Sequence, residues 1–221
     1  MKFRHEYKHV ISYADMIRLR NTLSSLFSHD RNAGSDGTYY VKSLYFDNYF
    51  DKALREKLDG VDRREKFRIR YYGDDTEFIR LEKKSKIHSL CNKTSCQISK
   101  VQCQNIICGN ISFMRDSDND LIKELYAKMH YQLLRPKCIV AYRRESFIYK
   151  PGNVRITLDS GISGSNNTYE FLNSGTPLLN LYHNAILEVK WDEFLPSIVT
   201  DAVRIPCRQA SAFSKYAAVR F

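Results

Sequence analysis

The sequence predicts an α+β fold in which about eight strands carry several helices on their outside. Three observations predict it. Segments of alternating residue type recur along the 221-residue chain, at the period of a strand with one buried face. Turn signals and stretches of helical periodicity fall between those segments. On many of the alternating segments the polar face is dominated by Arg and Lys, with a lone acid among them. Strands of this kind can close into a barrel whose apolar face lies under helices and whose charged faces line a wet bore.

The elements follow in order. Residues 3–11 read as a strand, with Arg4, Glu6 and Lys8 on one face and Phe3, Tyr7 and Ile11 on the other. Ser12 then starts a helix, with Asp15 placed for a capping box, and Met16, Leu19, Leu23, Leu26 and Phe27 form its apolar stripe. A polar loop over 28–37 leads to a strand over 39–47 and a short helix over 50–58, ended by Gly60. Residues 66–72 and 77–86 alternate on either side of Gly73-Asp74-Asp75, a hairpin pattern. Residues 87–119 are harder to read, with a short helix over 99–108, and a second helix spans 118–130. Strands return at 138–149, 154–159, 169–172 and 185–191, and helical pieces close the chain near 193–201 and 209–218.

Composition narrows the function. With 35 Lys plus Arg against 25 Asp plus Glu, the net charge is +10. Such a balance calls for an acidic partner: nucleic acid, anionic membrane or a phosphorylated ligand. No stretch approaches the roughly 18–20 apolar residues that span a bilayer, and the charged start of the chain carries no apolar leader, so the expected location is the cytoplasm. The chain shows no helix-turn-helix, zinc finger or RNP-type motif, so nucleic acid is not the expected partner. Cys91, Cys96, Cys103 and Cys108 are spaced too widely for zinc knuckles, and read as small apolar side chains or chance thiols. Cys138 and Cys207 read as core positions. His5, His9, His88, His130 and His183 show no ligand spacing, and Tyr39, Tyr40, Tyr45 and Tyr142 read as packing residues with hydroxyls at the rim of a bore.

The basic face gathers Lys8, Arg68, Arg70, Lys84, Arg144, Arg155 and Lys190, and its acids are Glu6, Glu82, Asp159 and Glu188. On a single strand this pattern means a solvated face with cross-strand ion pairs. Repeated over six or more strands, it describes a bore that attracts a polyanion. Arg forks fit phosphate oxygens, and the carboxylates could hold a hard divalent ion together with substrate phosphates.

Eight stretches carry a resemblance: RHEYKHVI (4–11), YYVKSLYFDN (39–48), KFRIRYYG (66–73), IRLEKKSK (79–86), AYRRESF (141–147), VRITLDSGI (154–162), ILEVKW (186–191) and FSKY (213–216). In this order they resemble the VTC domain, a polyphosphate polymerase domain of the CYTH-like triphosphate tunnel superfamily. The resemblance spans residues 1–221 as a single domain. It implies a closed antiparallel eight-stranded β-barrel with outer helices. It also implies a metal-dependent phosphotransferase that moves the terminal phosphoryl of a nucleoside triphosphate onto a polyphosphate chain.

By position, Lys8 is similar to the first-strand phosphate contact, and Arg68 and Arg70 to paired arginines. Glu82 and Lys84 match a Glu-x-Lys strand, and Lys93 matches a basic residue across the following loop. Arg144 and Arg155 resemble the arginines of a returning hairpin. Glu188 matches the carboxylate given to Mn²⁺ or Mg²⁺, with Glu6 and Glu82 as further acids and Lys190 beside it, and Lys215 matches a terminal lysine. Two positions depart from pattern. Ala212 stands where fungal members carry a second lysine. Arg4 replaces the first acid of the Glu-x-Glu-x-Lys opening of the hydrolytic tunnel enzymes, which disfavours a two-metal hydrolase. A tunnel triphosphatase and a polyphosphate- or nucleotide-binding sensor are the alternatives. The family also implies a membrane-protein partner at the inner face of a membrane.

Overall fold

The computed structural model describes residues 4–31, 33–87, 90–206 and 212–220. It is α+β. The chain runs through β1 (His5–Ile11), α1 (Tyr13–Leu26), β2 (Ser28–His29), β3 (Thr38–Asp47) and α2 (Lys52–Leu58). There follow β4 (Arg64–Tyr72), β5 (Asp75–Ile87), β6 (Leu90–Ile98), α3 (Lys100–Cys108) and α4 (Asp120–Tyr131). The last part holds β7 (Arg135–Tyr149), β8 (Val154–Ser165), β9 (Leu179–Tyr182), β10 (Ala185–Trp191), α5 (Ser197–Ala202) and α6 (Lys215–Arg220).

One antiparallel sheet contains ten strands. Its main path has the order β1-β10-β8-β7-β3-β4-β5-β6, while β2 pairs with β7 and β9 with β8. Register shifts on β3, β4, β7 and β8 add local twist that curls the sheet. The curl brings β1 towards β6, yet among the described residues one backbone bridge, Arg4–Cys91, and a Cys91 Sγ contact to the Glu6 carboxylate at 3.9 Å are what join them. The expected closed eight-stranded barrel is thus an open, curled half-barrel with a seam. β1 has seven residues, pairs along its whole length with β10, and has its backbone bridge to β6 only beside its first residue. Side chains take over along the seam, where Lys84 of β5 pairs with Glu6 at 2.9 Å.

The alternation read from sequence places the apolar face under helices. Met16, Leu19 and Leu23 of α1, with Phe27, pack on Phe147, Ile156, Leu158 and Leu187. Cys103 and Ile106 of α3 and Leu121, Leu125 and Met129 of α4 cover Leu44, Phe67, Ile69, Ile79 and Leu81. Leu23, Ile106 and Leu125 are fully buried, a class of side chain whose truncation to Ala costs about 2–5 kcal/mol. The capping box of Ser12 with Asp15 forms as expected, and Ser99 with Gln102 makes another at α3.

Several details differ from the sequence reading, among them a two-residue strand at Ser28–His29 inside the expected polar loop. Residues 168–172 form a 3-10 turn rather than a strand. β6 and the short β9 occupy segments where no strand was expected. The final helices start later than expected, at Ser197 and Lys215. Phe3, His88, Cys207 and the 209–211 portion of the expected last helix lie outside the described residues.

The helices are also not all outside. Tyr216 and Val219 of α6 pack against Tyr45, Val140, Tyr142, Ile162 and Ile186. On their strands these residues alternate with the outward core residues Leu44, Ile139 and Leu187. α6 therefore sits on the concave face. It is seated on Gly164, where a Cβ would lie 2.2 Å from Val219 Cγ1. Tyr216 anchors it further by donating to the buried Asp47 carboxylate at 2.7 Å, and Asp47 also accepts from the Ala53 and Leu54 N–H groups of α2.

Candidate functional site

The concave face encloses a cavity of about 330 Å³ lined by side chains from β1, β3, β4, β5, β6, β7, β8, β10 and α6. Every basic residue picked out from sequence is on its wall: Lys8, Arg68, Arg70, Lys84, Lys93, Arg144, Arg155, Lys190 and Lys215. Period-two alternation explains the convergence, because Arg68 and Arg70, or Glu188 and Lys190, share one face of a strand.

Most of these cations are held by carboxylates. Arg144 makes a two-pronged contact with Asp159 at 2.6 and 2.7 Å, and Lys215 reaches the same carboxylate at 2.6 Å. Lys8 and Lys190 each lie 3.3 Å from Glu188, and Lys8 also lies 3.2 Å from Glu6. Glu82 is bound by Arg68 at 2.6 Å and Lys93 at 2.8 Å. Arg155 pairs with Asp30 at 2.6 Å. Burial raises the carboxyl of Glu6, but Lys8 and Lys84 outweigh it and hold it at about 2. Asp159, Glu82 and Glu188 are likewise buried, and their neighbouring cations keep them below the usual carboxylate range.

Two cations of the wall differ, the buried Arg70 and the half-buried Lys66. Arg70 donates to the Ser43 hydroxyl at 3.0 Å and the Tyr142 hydroxyl at 3.1 Å. Lys66 stands over the Tyr45 ring, 5.7 Å from its centroid. Neither makes a direct ion pair with a carboxylate among the described residues, and Glu82 acts on Arg70 only through space. Burial, with Lys84, Lys8 and Arg68 nearby, depresses Lys66 to about 8, against a smaller opposing pull from Tyr45. Burial and Glu188 act in opposite senses on Lys190, and with Lys84 beside it the balance also falls at about 8. Unpaired buried charge is unfavourable unless an anion arrives to compensate it.

Lys66 was on the expected basic face but was not singled out, because a row of like residues does not show which member lacks a partner. Tyr45 and Tyr142 were read as packing residues. Their rings do pack, and their hydroxyls accept from Arg68 and Arg70 at 3.1 Å. Lys93 lies on β6 opposite Lys84 rather than across a loop. Arg4 lines the cavity but pairs with Asp192 at 2.8 Å and donates to the Asn153 carbonyl, so its head is already engaged.

The cysteines spread out. Cys91 and Cys96 are half-buried on β6, Cys103 is buried in α3 and Cys108 is exposed. No group of three or more His, Cys, Asp or Glu among the described residues is arranged to hold a metal. The acids of the cavity instead suit a hard divalent ion of the Mg²⁺ type, which takes one or two carboxylates plus phosphate oxygens. Glu188 and Glu6 share Lys8 and would hold such an ion only by releasing their cations, which for Glu188 are Lys8, Lys190 and Arg144; Glu82 is likewise paired, with Arg68 and Lys93.

A VTC domain family model matches residues 3–220 of this chain. The chain belongs to the VTC domain family. Solved structures are similar to this chain in fold. One, from Bacillus halodurans, is provisionally named an adenylate cyclase; it is 13% identical with a TM-score of 0.53, over 91% of this chain and 86% of that one. Another, the PH1012 protein of Pyrococcus horikoshii OT3, is 10% identical with a TM-score of 0.53, over 98% of this chain and 99% of that one. At these identities the likeness is one of fold. No curated protein matches the VTC domain.

Proposed function

We propose that this VTC domain is a metal-dependent phosphotransferase that moves the terminal phosphoryl of a nucleoside triphosphate onto a polyphosphate chain. The observation that carries the reading is Arg70, buried, and Lys66, half-buried, neither in direct contact with a carboxylate, in a cavity whose other cations are ion-paired with acids. Family membership supports it. In this reading the curled sheet works as a tunnel, with the β1–β6 seam completing its wall.

Phosphoryl transfer asks little covalent chemistry of a protein and much positioning and charge neutralisation. Arg70 and Lys66 would take the first phosphate oxygens. Arg68, Arg144, Arg155, Lys8, Lys84, Lys93, Lys190 and Lys215 would exchange their carboxylates for further oxygens. An acceptor phosphate oxygen attacks the terminal phosphorus directly, a new P–O–P bond forms, and the bond to the nucleoside diphosphate breaks. The cations screen repulsion between the two anions, and no protein nucleophile is needed. A Mn²⁺ or Mg²⁺ held by Glu188 and Glu6 would add charge neutralisation at the phosphates.

No helix among the described residues is long and apolar enough to cross a membrane. The reading places the protein in the cytoplasm, and a membrane-protein partner would bring it to the inner face of a membrane. The experiment is incubation with ATP and Mn²⁺, followed by a polyphosphate gel and a phosphate assay. Long chains that disappear in Arg70→Ala and Glu188→Ala are expected. Free phosphate alone would make the protein a triphosphatase, and binding without turnover would make it a sensor.

A further inference from the structure

Two buried tyrosine hydroxyls away from the cavity find acceptors. Tyr216 donates to Asp47 at 2.7 Å and Tyr71 to the Phe171 carbonyl at 2.9 Å. Tyr45 is different. It is 4% exposed, lines the cavity, and its hydroxyl oxygen accepts from Arg68 Nη1 at 3.1 Å. A guanidinium can only donate, so the hydroxyl's own proton must go elsewhere. Among the described residues no side chain or carbonyl accepts it. The ring cannot turn away, because it is stacked on Tyr216 with centroids 5.2 Å apart. A buried polar group held in place without a partner is either a defect or half of an interaction with something absent.

We infer that Tyr45 is a ligand-contacting residue, accepting from Arg68 on one side and donating to an oxygen of a bound phosphate chain on the other. This rests on the phosphate reading of the cavity.

The charges around the hydroxyl say when it can donate. Facing it are Lys66, Arg68 and Arg70 of β4, with Glu82 of β5 reached through Arg68, Tyr216 of α6 behind the ring, and Cys138 of β7 as its ladder partner. Burial raises the phenol, but Arg68, Lys66 and Arg70 outweigh it and bring Tyr45 to about 7. In the empty cavity near neutral pH the hydroxyl is therefore partly ionised and serves as a counter-ion to the arginines. A polyanion that neutralises those cations removes the reason for ionisation. Tyr45 then takes up a proton and becomes a donor. Binding of the chain and uptake of that proton are one event, and affinity falls as pH rises above about 7.

The test uses the whole protein, sodium tripolyphosphate and the variant Tyr45→Phe, which keeps the ring stacked on Tyr216. Calorimetric titrations in two buffers of different ionisation enthalpy count the protons taken up. Near-ultraviolet difference spectra follow tyrosinate in the native protein alone, which keeps the test valid if the variant folds poorly. Expected are loss of a tyrosinate signal when tripolyphosphate is added to native protein, and binding weakened roughly tenfold in Tyr45→Phe with fewer protons taken up. Equal affinity and equal proton uptake in Tyr45→Phe, or an unchanged tyrosinate signal in the native protein, would overturn the assignment alone. Native protein that binds no tripolyphosphate would overturn the phosphate reading and this assignment with it.

Discussion

Lys215, at the start of α6, is held 2.6 Å from Asp159 of β8, and Asp159 is simultaneously gripped by Arg144. One fully buried carboxylate therefore ties the helix on the concave face to two strands of the wall. Asp159→Ala would leave Arg144 and Lys215 without it, a situation that costs about 3–5 kcal/mol. Lys215→Met leaves the two-pronged Arg144–Asp159 contact intact. Urea unfolding should show a much larger loss for Asp159→Ala than for Lys215→Met. Added tripolyphosphate should restore part of the Asp159→Ala loss by replacing the missing anion. Equal losses in the two variants would contradict this.

Arg68 and Arg70, neighbours on one face of β4, should separate stability from binding. Arg68→Met strips Glu82 of one of its two cations and should lower the melting temperature. Arg70→Met removes a buried charge whose hydrogen bonds go only to hydroxyls and leaves Glu82 its two direct ion pairs, so the melting temperature should fall little. Its tripolyphosphate affinity should drop by roughly 10- to 100-fold, the range for hydrogen bonds to charged groups. Arg70→Met that melts well below native protein would refute the claim that its charge serves the ligand.

pH should act on stability and affinity in opposite directions. Lys66 lies at about 8 in the folded protein, below its ordinary value, so the unfolded chain holds more protons between about pH 8 and 10. Stability of the empty protein should therefore rise with pH across that window. Tyr45, at about 7, adds a rise of the same sign that begins lower. Tripolyphosphate affinity should fall over the same range as both groups lose protons. Denaturant midpoints and binding isotherms at matched pH values would check both slopes, and Lys66→Met should flatten the part above pH 8.

Glu188→Gln should divide metal dependence from anion binding. The native carboxylate neutralises Lys8 and Lys190 at 3.3 Å and is the acid proposed to hold a divalent ion. Without its charge, metal-free tripolyphosphate should bind more tightly, while Mn²⁺-stimulated turnover should vanish. Retained Mn²⁺ stimulation in the variant would remove Glu188 from the metal site.

Much of this was readable before any coordinates. Alternation on β1, β4, β5, β7, β8 and β10 placed Lys8, Arg68, Lys84, Arg144, Arg155 and Glu188 on one face, because a period of two leaves a strand few choices. The hairpin at Gly73 and the capping box at Ser12 are local signals, complete within a few residues. β6 was missed because Leu90–Ile98 is mostly polar: its Lys93, Ser95 and Gln97 face β5 residues across a ladder that sequence does not show. Closure was overestimated, since it depends on whether β1 meets β6, a relation between opposite ends of the sheet. The inward place of α6 was hidden because Gly164, its seat, reads in sequence as one more small residue in a strand.

The carboxylates along the cavity make the empty protein behave like an ion exchanger loaded with its own resident ions. Asp159, Glu188, Glu6 and Glu82 already sit on the cations, and being tethered they return the moment a visitor leaves. A monovalent ion such as chloride must compete with each tethered acid singly and gains little. A linear chain that displaces several acids at once keeps every gain while it is held by the others. Selection by valence thus follows from the residents rather than from the shape of the walls: orthophosphate should pass largely unnoticed at concentrations where a chain of three or more linked phosphates is retained.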